Sequence, residues 1–260
     1  SYDLSAFINN IGFRYPLTDK IKHSIILEYK LRDYTITDWS AASDSVKNLT
    51  GNNADILLNN TFINNNLDSF IRPTQGSYIS FNNGISPATN NENGYFKNVI
   101  NYKKYYNTQN NIYSFRARLG NIYSLQNKEI PNDDKFSLGG RSLRGFDSNG
   151  VGPRNSRTSY VGGNNIVAAN LDLHRPIVKN KDNPIDLNLF IDVGSVFDNQ
   201  VVPTSSNETI RSSLGFGIKF YSPIGPVGFT WGFPISSEDY DIERMFIFSI
   251  GNLNWEYFFL

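Results

Sequence analysis

The chain has 260 residues and no cysteine, so it can form one large domain but neither a disulfide nor a thiolate metal site. Its formal net charge is zero, which argues against a nucleic-acid partner, since such partners usually require a basic face. No uninterrupted run of about 18 apolar residues is present, so the sequence predicts no transmembrane helix.

The predicted elements are strands, because apolar and polar residues alternate along most of the chain. The clearest alternation lies in residues 186–194, where aliphatic side chains at every second position face away from Asp186, Asn188 and Asp192. We predict about eleven strands of roughly 9–11 residues, the length expected of a tilted membrane strand. In chain order they begin near Ser1, Lys20, Ala54, Gly76, Tyr95, Asn111, Asn165, Ile185, Thr209, Gly225 and Arg244.

The predicted connectors alternate between short and long. The short ones lie at Leu17–Asp19, Arg72–Gly76, Thr108–Asn110, Val178–Pro184 and Ser222–Pro226. The long ones lie at Thr37–Asn53, Ser86–Gly94, Gln126–Asn164, Asn199–Glu208 and Ile235–Glu243. Outer-membrane barrels have this asymmetry, with tight periplasmic turns and larger external loops.

The fold class that these patterns favour is all-β, a transmembrane antiparallel β-barrel. Aromatic residues make up 14 % of the chain, and the clearest strands keep charged residues off their apolar face. A lysine or arginine facing lipid at the midplane would cost roughly 2–4 kcal/mol, which explains that segregation. The alternative is a soluble β-sandwich, but its Greek-key crossings would not alternate short and long connectors so regularly.

The longest connector contains the segment Phe136–Arg154, which is rich in glycine yet carries Phe136, Leu143 and Phe146. A loop with several residues of the buried type is expected to pack against other parts of the protein. We therefore predict that this loop folds back into the lumen of the barrel.

This segment resembles the signature loop of the BamA superfamily, the bacterial surface antigen family of outer-membrane barrels. The matching residues are Gly139-Gly140, Leu143-Arg144-Gly145-Phe146 and Gly152-Pro153-Arg154. Further similar blocks are Asn66–Asp68 with Pro73–Gly76, Phe190–Asp198, Ile210–Gly215 with Ser222–Pro226, and Phe246–Gly251. Because these blocks occur in the family's order, the resemblance extends over essentially the whole chain.

The resemblance implies a set of site residues. The loop-motif residues are Gly139, Gly140, Leu143, Arg144, Gly145 and Phe146, and the lumen-wall residues are Phe190 and Asp192. Arg144 is expected to reach into the lumen and pair with Asp192. Asp172 lies on the same kind of strand face and is a second candidate acceptor. The closing strand, with Phe246, Phe248, Ile250 and Gly251, is expected to form part of a lateral gate.

The resemblance also implies a function, which is the assembly and insertion of β-barrel proteins into the bacterial outer membrane. The expected partners are unfolded outer-membrane protein clients, outer-membrane lipids and accessory lipoproteins. The alternative within the superfamily is a polypeptide secretion channel of the two-partner or translocation-assembly type. A passive porin or adhesin is the third possibility.

Family members carry POTRA domains before a barrel of about sixteen strands. Neither those domains nor the first strands are found here, so residues 1–260 are expected to be the C-terminal part of such a barrel. The role of the aromatic tail, Trp255 to Leu260, is left open.

An enzyme would need a nucleophile, a base and an orienting group that converge. Of the two histidines, His23 has no matching serine, and His174 shares a face with Asp172 without an evident nucleophile. Asp133 and Asp134 lie in a loop and are expected to be solvated. The sequence therefore predicts no catalytic residue, no cofactor and no metal site.

Overall fold

A computed structural model describes residues 2–40, 47, 50–87, 94–126, 130–154, 160–178, 184–198, 209–222 and 225–250. The described residues form strands β1 (Tyr2–Pro16), β2 (Ile21–Ile36), β3 (Gly51–Asn65), β4 (Gly76–Ser86), β5 (Tyr95–Asn107), β6 (Ile112–Ser124), β7 (Gly145–Phe146), β8 (Asn165–Val178), β9 (Ile185–Phe197), β10 (Arg211–Ser222), β11 (Gly225–Ser236), β12 (Glu243–Arg244) and β13 (Phe246–Ile250). None of these residues belongs to a helix long and apolar enough to cross a membrane.

Eleven strands form one antiparallel sheet in the order β1-β2-β3-β4-β5-β6-β8-β9-β10-β11-β13. Each strand pairs with the next one in that order, as a chain of consecutive hairpins requires. The prediction of an all-β fold built from eleven sequential strands is thus confirmed. The remaining two strands, β7 and β12, form a small ladder of their own.

Most strands are longer than the predicted 9–11 residues, and the longest lie at one edge of the sheet. Strands β1, β2 and β3 contain 15, 16 and 15 residues. A strand can stay paired beyond the hydrocarbon layer, so membrane thickness sets its minimum length only. The last predicted strand, expected to begin near Arg244, begins at Phe246, because Glu243 and Arg244 pair with the loop instead.

The two faces of the sheet differ in chemistry in the way the alternation predicts. In β9, Leu189 and Ile191 are 47 % and 53 % exposed, whereas Asp192 is fully buried. Aliphatic and aromatic side chains are likewise exposed along β4, β6, β8 and β10. An apolar exposed face and a polar buried face belong to a barrel wall with lipid outside and a polar lumen inside.

The long connector between β6 and β8 packs inside the sheet, as predicted. Its apolar side chains join those of the wall in one buried cluster. The loop contributes Ile130, Phe136, Leu138, Leu143, Phe146 and Val151 to this cluster. The wall contributes Leu57, Tyr95, Val99, Ile122, Ile166, Ala168 and Val196. Burial of this apolar surface holds the loop in the lumen.

The connector between β3 and β4 is longer than the predicted turn at Arg72–Gly76, since it occupies residues 66–75. Asp68 closes it by accepting hydrogen bonds from the backbone amides of Thr74 (2.8 Å) and Gln75 (3.2 Å). Gly76 ends it with a φ of 103°, and an added Cβ there would overlap the carbonyl of Asn66. Only glycine satisfies both requirements.

Candidate functional site: the lumen loop and its wall contacts

The segment 139–146 folds into a tight turn that points Arg144 at the wall. Gly140 donates a backbone hydrogen bond of 2.9 Å to the carbonyl of Phe146, and Ser142 bonds to Gly139 through both its amide and its hydroxyl. Gly139, Gly140 and Gly145 all have positive φ, a region that side-chain-bearing residues rarely adopt. The glycines of the motif therefore define the path of the backbone.

Arg144 binds Asp192 of β9 through three nitrogen atoms. Its Nη2 lies 2.6 Å from Asp192 Oδ1, while its Nε and its own backbone amide lie 2.7 Å and 3.0 Å from Oδ2. The guanidinium also lies over the ring of Phe190, 3.5 Å from the ring centroid. The planar fork of arginine suits both contacts, whereas the point charge of lysine suits neither.

Asp172 of β8 is a second acceptor for the same guanidinium. Arg144 Nη1 donates to its Oδ1 at 2.7 Å, and Arg116 Nη2 donates to its Oδ2 at 3.0 Å. Burial alone would lower the pKa of Arg144, but the carboxylates of Asp172 and Asp192 outweigh it and raise that pKa above its ordinary value. Arg144 therefore stays charged, and the site acts as a structural ion-pair network.

Glycines in the neighbouring strands make room for this arrangement. An added Cβ at Gly215 of β10 would come within 2.5 Å of Phe190 Cζ. An added Cβ at Gly232 of β11 would come within 2.5 Å of the amide nitrogen of Gly145 and 2.8 Å of the carbonyl carbon of Arg144. The backbone of the loop thus rests directly on the backbone of β11.

The loop is also hydrogen-bonded to the segment that precedes β13. Gly145 and Phe146 form the β7–β12 ladder with Arg244 and Glu243. Beyond the ladder, Asp147 donates its amide to the carbonyl of Ile242 at 2.8 Å, and Ile242 donates to Gly150 at 3.0 Å. The sequence reasoning missed this connection, because two-residue strands have no periodicity to detect.

A second network anchors the start of the loop. It corrects the prediction that Asp134 is solvated, since Asp134 is buried, whereas Asp133 is exposed as predicted and pairs with Arg32. Arg32 of β2, whose side chain is 1 % exposed, donates from Nη1 to Asp133 (2.6 Å) and Asp134 (2.9 Å) and from Nη2 to Asp55 (3.1 Å). Lys30 lies 3.4 Å from Asp134. Two adjacent acids in a loop gave no sign of this partner, since Arg32 lies about a hundred residues away in the chain.

The charge that the loop supplies is opposite in the two networks. At Arg144 the loop supplies the cation and the wall supplies the acids, whereas at Asp134 the loop supplies the acid. Burial alone would raise the pKa of Asp134, but Arg32, Lys30 and Lys97 lower it below its ordinary value of 3.8. The carboxylate is thus held in its charged form.

The other predicted residues occupy the following places. Leu143 and Phe146 belong to the loop, and their side chains are fully buried. Phe246, Phe248 and Ile250 of β13 lie on the exposed face, and β13 pairs with β11 from Trp231 to Val227. Gly251 and the aromatic tail lie outside the described residues.

A contact between His174 and Ser114 was not predicted, because the sequence did not indicate a serine close to His174. The structure places Ser114 Oγ 3.3 Å from His174 Nε2 across β6 and β8. In the pairing of β6 with β8, Ser114 lies opposite Asp172, which comes two residues before His174 in the chain.

Residues 1–253 match the Omp85 superfamily domain. The chain is 26 % identical over 234 residues to "Outer membrane protein assembly factor BamA" of Nitratidesulfovibrio vulgaris, an alignment that covers 86 % of this chain and 29 % of that protein. It is 26 % identical over 230 residues to "Sorting assembly machinery 50 kDa subunit" of Saccharomyces cerevisiae, covering 84 % of this chain and 45 % of that protein.

The fold is similar to that of a crystal structure of BamA from Haemophilus ducreyi lacking POTRA domains 1–3. The TM-score is 0.79 at 21 % identity, and the match covers 95 % of this chain and 54 % of that one. The chain thus spans about half the length, or less, of these relatives. The family match over nearly its entire length decides its classification: the chain belongs to the Omp85 superfamily, and its sheet is part of the wall of an outer-membrane β-barrel.

Proposed function

We propose that this domain assembles and inserts β-barrel proteins into the bacterial outer membrane. The observation that carries the proposal is the lumen loop bound at its motif arginine to Asp192 and Asp172. Bacterial and yeast relatives that share the domain are named as assembly proteins. The proposed clients are unfolded outer-membrane proteins, and lipids of that membrane would contact the exposed apolar face.

The proposed working edge is strand β13, the last in the strand order. It pairs with β11 from Phe246 to Ile250, the last residue that the structure describes. Within the described sheet β13 has one neighbouring strand, and a strand edge without a second neighbour can pair with an incoming strand. Phe246, Phe248, Ile250 and Gly251 are therefore proposed to form one side of a lateral gate.

We also propose that the domain is not an enzyme. The contact between His174 and Ser114 would need Asp172 as the orienting group of a triad. Both oxygens of Asp172 are already occupied, Oδ1 by Arg144 and Asn188 and Oδ2 by Arg116. An acid that is shared among three donors is a structural ligand of the loop.

The function is tested by replacing the native gene with Arg144→Ala and measuring the folded fraction of several other outer-membrane barrels. Arg141→Ala is the matched control. Arg141 lies in the same loop, and its side chain forms no ion pair or hydrogen bond with the residues that the structure describes. We expect Arg144→Ala to reduce the folded fraction of clients and Arg141→Ala to leave it unchanged.

The secretion-channel alternative predicts a different outcome. If client barrels fold normally while export of a soluble polypeptide fails in Arg144→Ala, the assembly proposal is wrong and the channel is favoured. The position of this chain within a longer protein, with POTRA domains and accessory lipoproteins, stays a prediction.

A further inference from the structure

A polar cavity of ≈ 50 Å³ lies inside the sheet on the side of Asp172 away from the loop motif. Side chains of strands β5, β6, β8, β9 and β10 and of the turn at 66–75 line it. Since a water molecule needs about 10–15 Å³ of such space, the cavity holds a few waters or one small polar group. Three cationic side chains and two carboxylates line it: Arg72, Arg116, Lys219, Asp172 and Asp186.

Both carboxylate oxygens of Asp186 bind Arg72, a residue of the turn at 66–75. Arg72 donates to it in a bidentate arrangement, from Nη2 to Oδ1 at 2.6 Å and from Nε to Oδ2 at 3.0 Å. Asp186 is 1 % exposed, so this pair is shielded from water on the carboxylate side. An arginine fork that occupies both oxygens leaves little capacity for another cation.

Asp172 is engaged in the same way from the other side. As described above, Arg144 and Asn188 bind one of its oxygens and Arg116 binds the other. Arg72 and Arg116, which line the cavity, and Arg144, which lies beyond it, therefore use both carboxylates of the cavity.

Lys219 also lines the cavity, but neither carboxylate of the cavity binds it. In the strand register it lies opposite Asp186 on β9, where a cross-strand ion pair would be expected, but Arg72 holds that carboxylate. On its other side it lies opposite Gly228 of β11, which has no side chain. Within the described part of the chain, Lys219 forms neither an ion pair nor a hydrogen bond.

An ammonium that is partly withdrawn from water, with no partner among the described residues, carries a desolvation cost that an anion would reduce. Lys219 offers three N–H donors, and the hydroxyl of Ser114 lines the same cavity. The volume suits one small anionic group such as a carboxylate. We propose that this cavity is a binding site for a single carboxylate group of a polypeptide segment in the lumen. The polypeptide source rests on the proposed function, whereas anion binding as such does not.

Anion binding is tested on the full chain folded in detergent micelles. The midpoint of thermal unfolding is measured in sodium acetate, sodium phosphate and sodium chloride at equal ionic strength, for wild type, Lys219→Met and Lys104→Met. Lys104 is an exposed lysine of β5 and serves as the matched control. We expect acetate to raise the midpoint of wild type and Lys104→Met above the value in chloride. In Lys219→Met the acetate concentration for half of this effect should rise at least about tenfold, the loss expected for one charged hydrogen bond.

In chloride, Lys219→Met is expected to be at least as stable as wild type, since it removes an uncompensated charge; this also shows that the variant folds. An equal response of wild type and Lys219→Met to acetate would overturn the site. A phosphate effect as large as that of acetate would overturn the assignment to a carboxylate.

The source is tested with one short peptide without acidic side chains in two forms, with a free C-terminal carboxylate and with an amide, and with a second amidated peptide that contains glutamate. Stabilisation by the free-acid form but not by its amide, or by the glutamate peptide, supports a polypeptide ligand. If acetate stabilises the protein while no peptide carboxylate does, the anion site stands and its link to the proposed function is wrong.

Discussion

Arg144 holds Asp192 with its side chain and with its own backbone amide, so the contact fixes the position of the loop as well as the charge of the pair. Removing the side chain leaves Asp192 and Asp172 buried without their main counter-charge. We expect Arg144→Ala to lower the free energy of unfolding by about 3–5 kcal/mol, the usual cost of breaking a buried pair. Urea titration of the folded protein in micelles measures this.

Arg144→Lys tests whether the planar guanidinium matters beyond its positive charge. A lysine keeps the positive charge but cannot bind two carboxylates and lie flat on Phe190. We expect it to recover less than half of the stability lost in Arg144→Ala; full recovery would show that charge alone matters.

The double exchange Arg144→Asp with Asp192→Arg should not restore stability, because the new loop carboxylate would face Asp172.

Gly232→Ala probes the contact between the backbones of the loop and β11. Its Cβ would meet the backbone of Arg144 and Gly145, which cannot yield as a side chain can. We expect faster proteolysis of the loop in folded protein. Gly84→Ala is the control, since its Cβ would meet only the side chains of Asn59 and Leu57. Equal protease resistance of both variants would contradict the close packing.

Asp134→Asn tests the second anchor through its pH dependence. The folded pKa of Asp134 is lowered, so its charge contributes stability above the unfolded value of 3.8, and that contribution is lost as the pH falls through the folded pKa. At pH 7 we expect the variant to be less stable by about 1–3 kcal/mol, because Arg32 keeps Asp55 and Asp133. The difference from wild type should shrink on acidification below pH 4; a difference that is constant with pH would exclude an electrostatic role.

Asp68→Ala and Gly76→Ala test the turn at 66–75. Hydrogen bonds from Thr74 and Gln75 overcome the effect of partial burial and lower the pKa of Asp68. We expect Asp68→Ala to cost about 1 kcal/mol and Gly76→Ala to cost more, since its Cβ overlaps the carbonyl of Asn66. Because Arg72 extends from this turn to Asp186, both variants should also weaken that pair. Urea titration compares them with Asp19→Ala in the β1–β2 turn, which we expect to be neutral.

Local alternation was enough to predict most strands and their faces, because exposed apolar side chains alternate with buried ones along strands such as β6, β8 and β9. Asp192 and Phe190 could be assigned to the buried face from their parity with Asp186 and Asn188 alone. Since successive side chains in a strand point to opposite faces, the orientation of one side chain gives the orientation of the others.

Contacts between distant segments could not be derived in this way. The pairing of Arg32 with Asp133 and Asp134 depends on where a long loop returns to the wall, and no period in the sequence encodes that path. The partner of Arg144 was expected only because the loop motif resembles a known family. The β7–β12 ladder is too short to leave a pattern.

That ladder has a mechanical consequence. Residues 242–245, immediately before β13, are bonded to the loop at Gly145, Asp147 and Gly150 and to β11 at Gly232. Asp241 is held as well, by a buried pair with Arg211 of β10 at 2.9 Å. The residues that lead into β13 are therefore held from three sides, by the loop, by β10 and by β11. Separation of β13 from β11 would be resisted at Phe246, where it could go no further unless the loop moved as well.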